Sequence, residues 1–160
     1  MPAKVPVPTY RVVLMLIEHQ KRYLLIQEAK PHLGNPWYLP AGGVEPGEDL
    51  KTAAQRETLE EAGIQILPKY FLEIEHTLPL DLSAENPNPE IWRFFIVAEF
   101  IGGSLKKQPD AESFQAQWFS PEEIPKLHLR TPRVLEVLQK YRSGCPLYPI
   151  ELYQSQVARE

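Results

Sequence analysis

The sequence predicts a single α/β domain, and three observations carry that prediction. β-Branched and aliphatic runs bounded by turn residues recur along the chain as strands. A stretch from about Glu48 to Ala62 contains neither Pro nor Gly and is closed by Gly63, the pattern of a helix with a glycine stop. A second helix is predicted near the C-terminus, and no shift in composition marks a second domain.

Taken in order, Pro2, Pro6 and Pro8 make residues 1–8 an extended entry segment. Arg11 to Glu18 and Arg22 to Gln27 read as strands around the polar turn His19-Gln20-Lys21, an antiparallel pair. Pro31 to Gly47 is rich in Pro and Gly and reads as a loop holding one short strand at Trp37-Tyr38-Leu39. After the helix, Lys69 to His76 and Ile91 to Phe100 are strand-like, and between them Asp81 to Glu90 reads as an exposed loop bordering a pocket. Phe114 to Phe119 is a last strand. Ser120-Pro121-Glu122-Glu123 has the form of a helix start, with Ser120 as cap and Glu123 completing a capping box. A final helix is expected over Pro132 to Tyr141 behind the cap Thr131, with Val134, Leu135, Val137 and Leu138 as its buried stripe. Residues 9–142 form the expected domain, and 143–160 an arm or tail.

Charge and cysteine content narrow the function. A net charge of -4 offers no basic face for DNA or RNA, so no stable nucleic-acid complex is expected. The apolar run Val12 to Ile17 is too short to span a bilayer, and the N-terminus lacks a secretion signal. Cys145, the only cysteine, cannot form an intrachain disulfide, which suits a reducing compartment; the expected location is cytoplasmic.

The chemistry concentrates in Gly42 to Ile64, GGVEPGEDLKTAAQRETLEEAGI. At about 100° per residue, Glu57, Glu60 and Glu61 share one stripe of the helix. Like charges at that spacing repel by roughly 0.2–0.5 kcal/mol per pair, more where desolvated. Arg56 can neutralise part of that charge, and a hard divalent cation, magnesium or else manganese, suits the remaining oxygen donors. His19, His32, His76 and His128 are scattered and form no zinc set.

Gly42, Glu48, Arg56, Glu57, Glu60, Glu61, Gly63 and the apolar Ile64 fall at the spacing of the Nudix box, and the chain resembles the Nudix hydrolases, MutT-like members among them, over roughly residues 9–142. Thr58 departs from the aliphatic residue usual there; its methyl can pack and its hydroxyl can bond back within the helix. The resemblance implies an α/β/α sandwich with a mixed sheet between helices. It further implies that Glu57, Glu60 and Glu61 hold the metal, joined by the Ala41 carbonyl and Glu112, that Arg56 orients Glu57, and that Glu48 pins the loop to the helix. Gly42 and Gly43 would permit close approach, with Gly63 ending the helix. Either Glu57 or Glu112 would take the proton of the attacking water.

The implied reaction is cleavage of a diphosphate linkage in a small nucleotide substrate. Trp37, Arg93, Phe94 and Arg130 are the candidate substrate contacts, through stacking or a phosphate. Similarity to the MutT-like enzymes suggests an oxidised guanine nucleotide. Pro79, fifteen positions beyond Ile64, suggests an ADP-ribose or sugar-nucleotide pyrophosphatase instead. A nucleotide-sensing module without turnover is the alternative of another class, disfavoured because every box glutamate is present. The assembly expected is a monomer or homodimer, the latter through an arm such as Pro146 to Tyr153.

Overall fold

The computed structural model describes residues 6–80 and 88–158, so part of the loop predicted between Asp81 and Glu90 lies outside the described residues. Its spine is β1 (Thr9–His19), whose alternation divides the core. Val13, Met15 and Ile17 face one layer and Leu14 and Leu16 the other, all at most 2% exposed. Gln20 and Lys21 take positive φ of 50° and 59°. That two-residue turn brings Arg22 opposite His19 and starts β2 (Arg22–Glu28).

The pair then separates. β1 continues against β4 (Ala41–Gly43), while β2 pairs with β3 (Trp37–Tyr38) and β7 (Ser113–Phe119). On its other edge β1 runs parallel to β6 (Glu90–Gly103), which is antiparallel to β5 (Ile64–Thr77). β8 (Tyr148–Pro149) closes the far edge against β5. Among the described residues eight strands thus form one mixed sheet.

Helix α1 (Leu50–Ala62) covers one face through Leu50, Ala53, Ala54 and Ala62, packed on Val13, Met15 and Ile17. Helix α2 (Arg133–Arg142) covers the other through Val134, Val137 and Leu138, packed on Leu14 and Leu16. This is the α/β/α sandwich, each layer fixed by the parity of strand residues.

Several boundaries differ from those predicted. α1 starts at Leu50 because Asp49 caps it, accepting from Thr52 N at 2.8 Å. β5 begins at Ile64, before Pro68, and the sheet absorbs that proline with a register shift between Pro68 and Tyr70. The start at Ser120 forms half its capping box, since Glu123 Oε2 accepts from Ser120 N at 2.7 Å. It yields only a turn and a 3-10 helix, Ile124–Lys126, because Pro125 has no N–H with which to extend an α-helix. Beyond α2 the chain stays docked: Ile150, 2% exposed, enters the core beside α1, and Ser155 Oγ reaches Asp49 Oδ2 at 3.3 Å. Among the described residues no helix is long and apolar enough to cross a membrane.

Candidate active site

The register of β4 on β1 decides which backbone groups face the helix. Met15 N bonds Pro40 O and Val44 N bonds Arg11 O, so Ala41 and Gly43 sit at the positions whose N–H and C=O point away from β1. Both outward groups that find partners meet α1. Ala41 N donates to Glu61 Oε2 at 2.8 Å, and Gly43 O accepts from Arg56 Nη2 at 2.9 Å. Ala41 O is oriented the same way.

Gly42 lies between them. A Cβ there would come within 1.9 Å of Glu57 Cδ, so the carboxyl occupies the space any side chain at 42 would fill. A Cβ at Gly43 would meet nothing within 4 Å, so the steric requirement belongs to Gly42 alone. Gly63 ends α1 at φ 79°, and a Cβ there would lie 2.7 Å from Ser104 O.

Arg56 organises the acidic ridge. Nε and Nη2 donate to the two oxygens of Glu48 at 2.8 and 2.9 Å, and Glu48 Oε2 also accepts from Glu45 N at 3.0 Å. Nη1 donates to Glu57 Oε1 at 2.7 Å and Glu60 Oε2 at 3.1 Å. The guanidinium holds the Glu48 carboxyl below its usual range, chiefly through these hydrogen bonds. Thr58, fully buried, donates its hydroxyl to Ala54 O at 2.8 Å.

The ridge divides in two. Glu57 and Glu61, 9% and 8% exposed, line a cavity of 840 Å³; Glu60, with a half-exposed side chain, stands outside it. Burial raises the pKa of Glu57 against the pull of Arg56. It pushes Glu61 up to about 8, the Ala41 N–H offsetting part of the effect while the charges of Glu57, Glu28 and Glu112 add to it. Among the described residues no three acidic, histidine or cysteine side chains stand gathered as a metal-ligand set. Glu57 and Glu60 turn to Arg56, and Glu61 to the Ala41 N–H.

Glu112 also lines the cavity, from the loop before β7. Asp110 Oδ1 shapes that loop by accepting from Glu112 N and Ser113 N at 2.9 and 3.1 Å. Ser113, fully buried, ties it to the end of α1 by donating to Glu61 O at 2.6 Å.

Of the four predicted substrate contacts, two reach the cavity. Arg93 and Arg130 line it; Arg93 donates to Glu75 Oε1 at 3.0 Å and Thr77 Oγ1 at 2.7 Å. Trp37 does not, being 9% exposed and packed edge-on against Phe119 at 4.8 Å in the core beneath α2. Phe94 points to the α1 side, packed with Phe71. Pro79 is not among the cavity residues. The structure adds Glu28, Lys30, Tyr38 and Arg133, which the sequence did not single out. Arg130 lies 5.0 Å from the ring centroid of Tyr38, and burial raises the Tyr38 hydroxyl pKa.

The family model described as the NUDIX domain matches residues 7–141, a span that contains strands β1 to β7, α1 with its glutamates, and nearly all of α2. The chain belongs to the Nudix family. Among its relatives, this Nudix chain is 39% identical over 132 residues to the 8-oxo-dGDP phosphatase NUDT18 of Homo sapiens, covering 81% of this chain and 38% of that one. It is 31% identical over 142 residues to the phosphatase NudJ of Shigella boydii, covering 88% of each. A solved NUDIX hydrolase from Nitrosomonas europaea superposes with a TM-score of 0.77 at 29% identity, covering 92% of this chain and 97% of that one. The Nudix chain thus spans well under half of the human relative but nearly the whole of the bacterial ones. Nudix domains generally use divalent metal ions and act on small nucleotide substrates, and the sandwich observed is theirs.

Proposed function

We propose that this Nudix domain hydrolyses a diphosphate linkage in a nucleoside diphosphate or triphosphate, with an oxidised purine nucleotide as substrate and magnesium as cofactor, manganese serving in its place. The observation that carries the proposal is a cavity lined by groups of both charges. Its lining holds the buried carboxyls of Glu57 and Glu61 beside Gly42, and with them Lys30, Arg93 and Arg130. Acidic groups alone would repel a diphosphate; cations alone would bind it without activating anything.

The donors fit a hard divalent ion. They are carboxylate and carbonyl oxygens, and two of the carboxyls are buried deeply enough to have raised pKa values, which is the charge deficit a dication removes. Glu57, Glu61, the Ala41 carbonyl and Glu112 would hold it from the cavity, with Glu60 contributing from the outer lip of α1. The bound ion supplies charge neutralisation at the phosphate oxygens and acidifies a water. Arg56 keeps Glu57 and Glu60 oriented, and Glu48 keeps Arg56 in place. The water oxygen bonds to phosphorus, the bridging P–O bond breaks, and Glu57 or Glu112 takes the proton. The relative named an 8-oxo-dGDP phosphatase supports the oxidised purine as substrate.

Release of orthophosphate or of a nucleoside monophosphate from normal and 8-oxo deoxynucleoside di- and triphosphates, ADP-ribose and dinucleoside polyphosphates, with magnesium, tests this reading. Turnover by the wild type and its loss in Glu60→Gln and Glu61→Gln are the expected results. Equal rates in all three proteins, or binding without turnover, would overturn it; the latter is the signature of a sensing module.

A further inference from the structure

Glu28 is the last residue of β2, at the register shift where β2 and β7 fall out of step. It lines the active cavity yet is 5% exposed. Its Oε1 is doubly engaged, accepting from Lys30 Nζ and from Arg130 Nη1, each at 2.6 Å. Its Oε2 is buried and has no hydrogen-bond partner among the described residues. A water-excluded carboxylate oxygen without a donor is unfavourable and calls for an explanation.

Two kinds of group would satisfy Oε2, a cation or a neutral donor. One carboxylate already faces two cations through Oε1, so a third positive group would be repelled by Lys30 and Arg130. A neutral N–H completes the oxygen without adding charge. The neighbouring surfaces are planar: the Arg130 guanidinium lies over the Tyr38 ring, and both line the cavity. A flat heteroaromatic ring that carries an N–H at its edge matches this wall in both shape and polarity.

We propose, resting on the nucleotide reading above, that Glu28 Oε2 is the specificity-determining acceptor for an N–H of the substrate's purine base, held in position by Lys30 and Arg130. Two purine edges offer that group. Guanine has N–H donors on its pairing edge, and oxidation at C8 converts N7 from an acceptor into an N–H donor. Glu28→Gln discriminates sharply because Lys30 and Arg130 draw the amide oxygen toward themselves. The NH₂ then takes the place of Oε2 and turns an acceptor into a donor.

Binding is read without turnover by titrating monophosphates calorimetrically into the full chain with magnesium. The ligands are 8-oxo-dGMP, dGMP and the deoxynucleotide of unsubstituted purine, whose base has no N–H. Glu28→Gln is expected to weaken 8-oxo-dGMP at least about tenfold and the unsubstituted purine less than about twofold. A loss confined to 8-oxo-dGMP assigns the oxidised edge, and an equal loss for dGMP assigns the pairing edge; either supports the proposal. Equal weakening of all three ligands would overturn it, because Glu28 would then only hold Lys30 and Arg130 for the phosphate. No weakening, or no binding of any ligand by the wild type, would overturn it too. Glu28→Asp keeps the charge and withdraws the oxygens, so it carries the same comparison if the glutamine variant melts early. Steady-state kinetics on the diphosphates should show the change in KM rather than kcat. Absence of wild-type turnover would count against hydrolysis alone, because the binding ratios are read separately.

Discussion

Replacing Glu61 with glutamine isolates the electrostatics of a deeply buried carboxyl in the cavity. Its pKa rises from an ordinary 4.5 to about 8, with burial the dominant cause. Below pH 4.5 the folded and unfolded chains both carry the proton at this position, and Glu61 costs the fold nothing. Between 4.5 and 8 the unfolded chain releases the proton while the folded chain retains it, so stability falls as pH rises through that window. At about 1.4 kcal/mol per pH unit, the loss is on the order of 4 kcal/mol by pH 8. For a domain of this size that corresponds to roughly 10 °C in Tm. Melting curves in chelator from pH 4.5 to 8.5 should therefore show the wild type losing ground against Glu61→Gln as pH increases. The difference between the two proteins cancels the other titrating groups. The amide can still accept from Ala41 N, so the local geometry is retained. Magnesium at pH 8 should raise the wild-type Tm and raise that of the variant less. Parallel curves for the two proteins across the whole range would refute the argument.

Gly42→Ala should lower kcat/KM about a hundredfold or more by displacing the Glu57 carboxyl, whereas Gly43→Ala should leave the rate nearly unchanged; phosphate release with saturating magnesium compares them. Arg56→Lys keeps the charge but cannot bridge Glu48, Glu57, Glu60 and the Gly43 carbonyl together. It should raise the magnesium concentration needed for half-maximal rate, as an activity titration would show. Trp37→Ala should cost about 3–5 kcal/mol in urea denaturation, and a larger effect on KM than on stability would contradict its place in the core. Gly63→Ala forces a side chain into a left-handed position against Ser104 O and should lower stability by about 1 kcal/mol or more in the same assay.

The parts of the fold most legible in the sequence were those set by local pattern. The apolar run Val12 to Ile17 and the glycine after Ala62 each place an element by physics that acts within a few residues. Tyr38 and the inward direction of Arg93 were within reach of the same reasoning. Adjacent strand residues face opposite ways, so Trp37 and Tyr38 cannot both enter one cavity, nor can Arg93 and Phe94. Naming Trp37 in place of Tyr38, and Phe94 alongside Arg93, favoured aromatics that the core claims. Glu28 had no such signal. It stands in QEAK with nothing local to distinguish it, and its importance comes from Arg130, 102 positions away. The division of the acidic ridge was equally hidden, because helical spacing places the three glutamates near one another but does not say how far β4 covers them.

The docked arm has a consequence for the sheet's margin. Tyr148 and Pro149 occupy the outer border of β5 opposite Phe71 and Tyr70, and Ile150 locks them down as a buried plug. Without them, main-chain amides and carbonyls along that border would face outward beside Ile74, a template on which an extended peptide from a neighbouring molecule could crystallise as an added strand. The short terminal pairing thus works as a selvedge, a finished border that keeps the weave from catching on its neighbours.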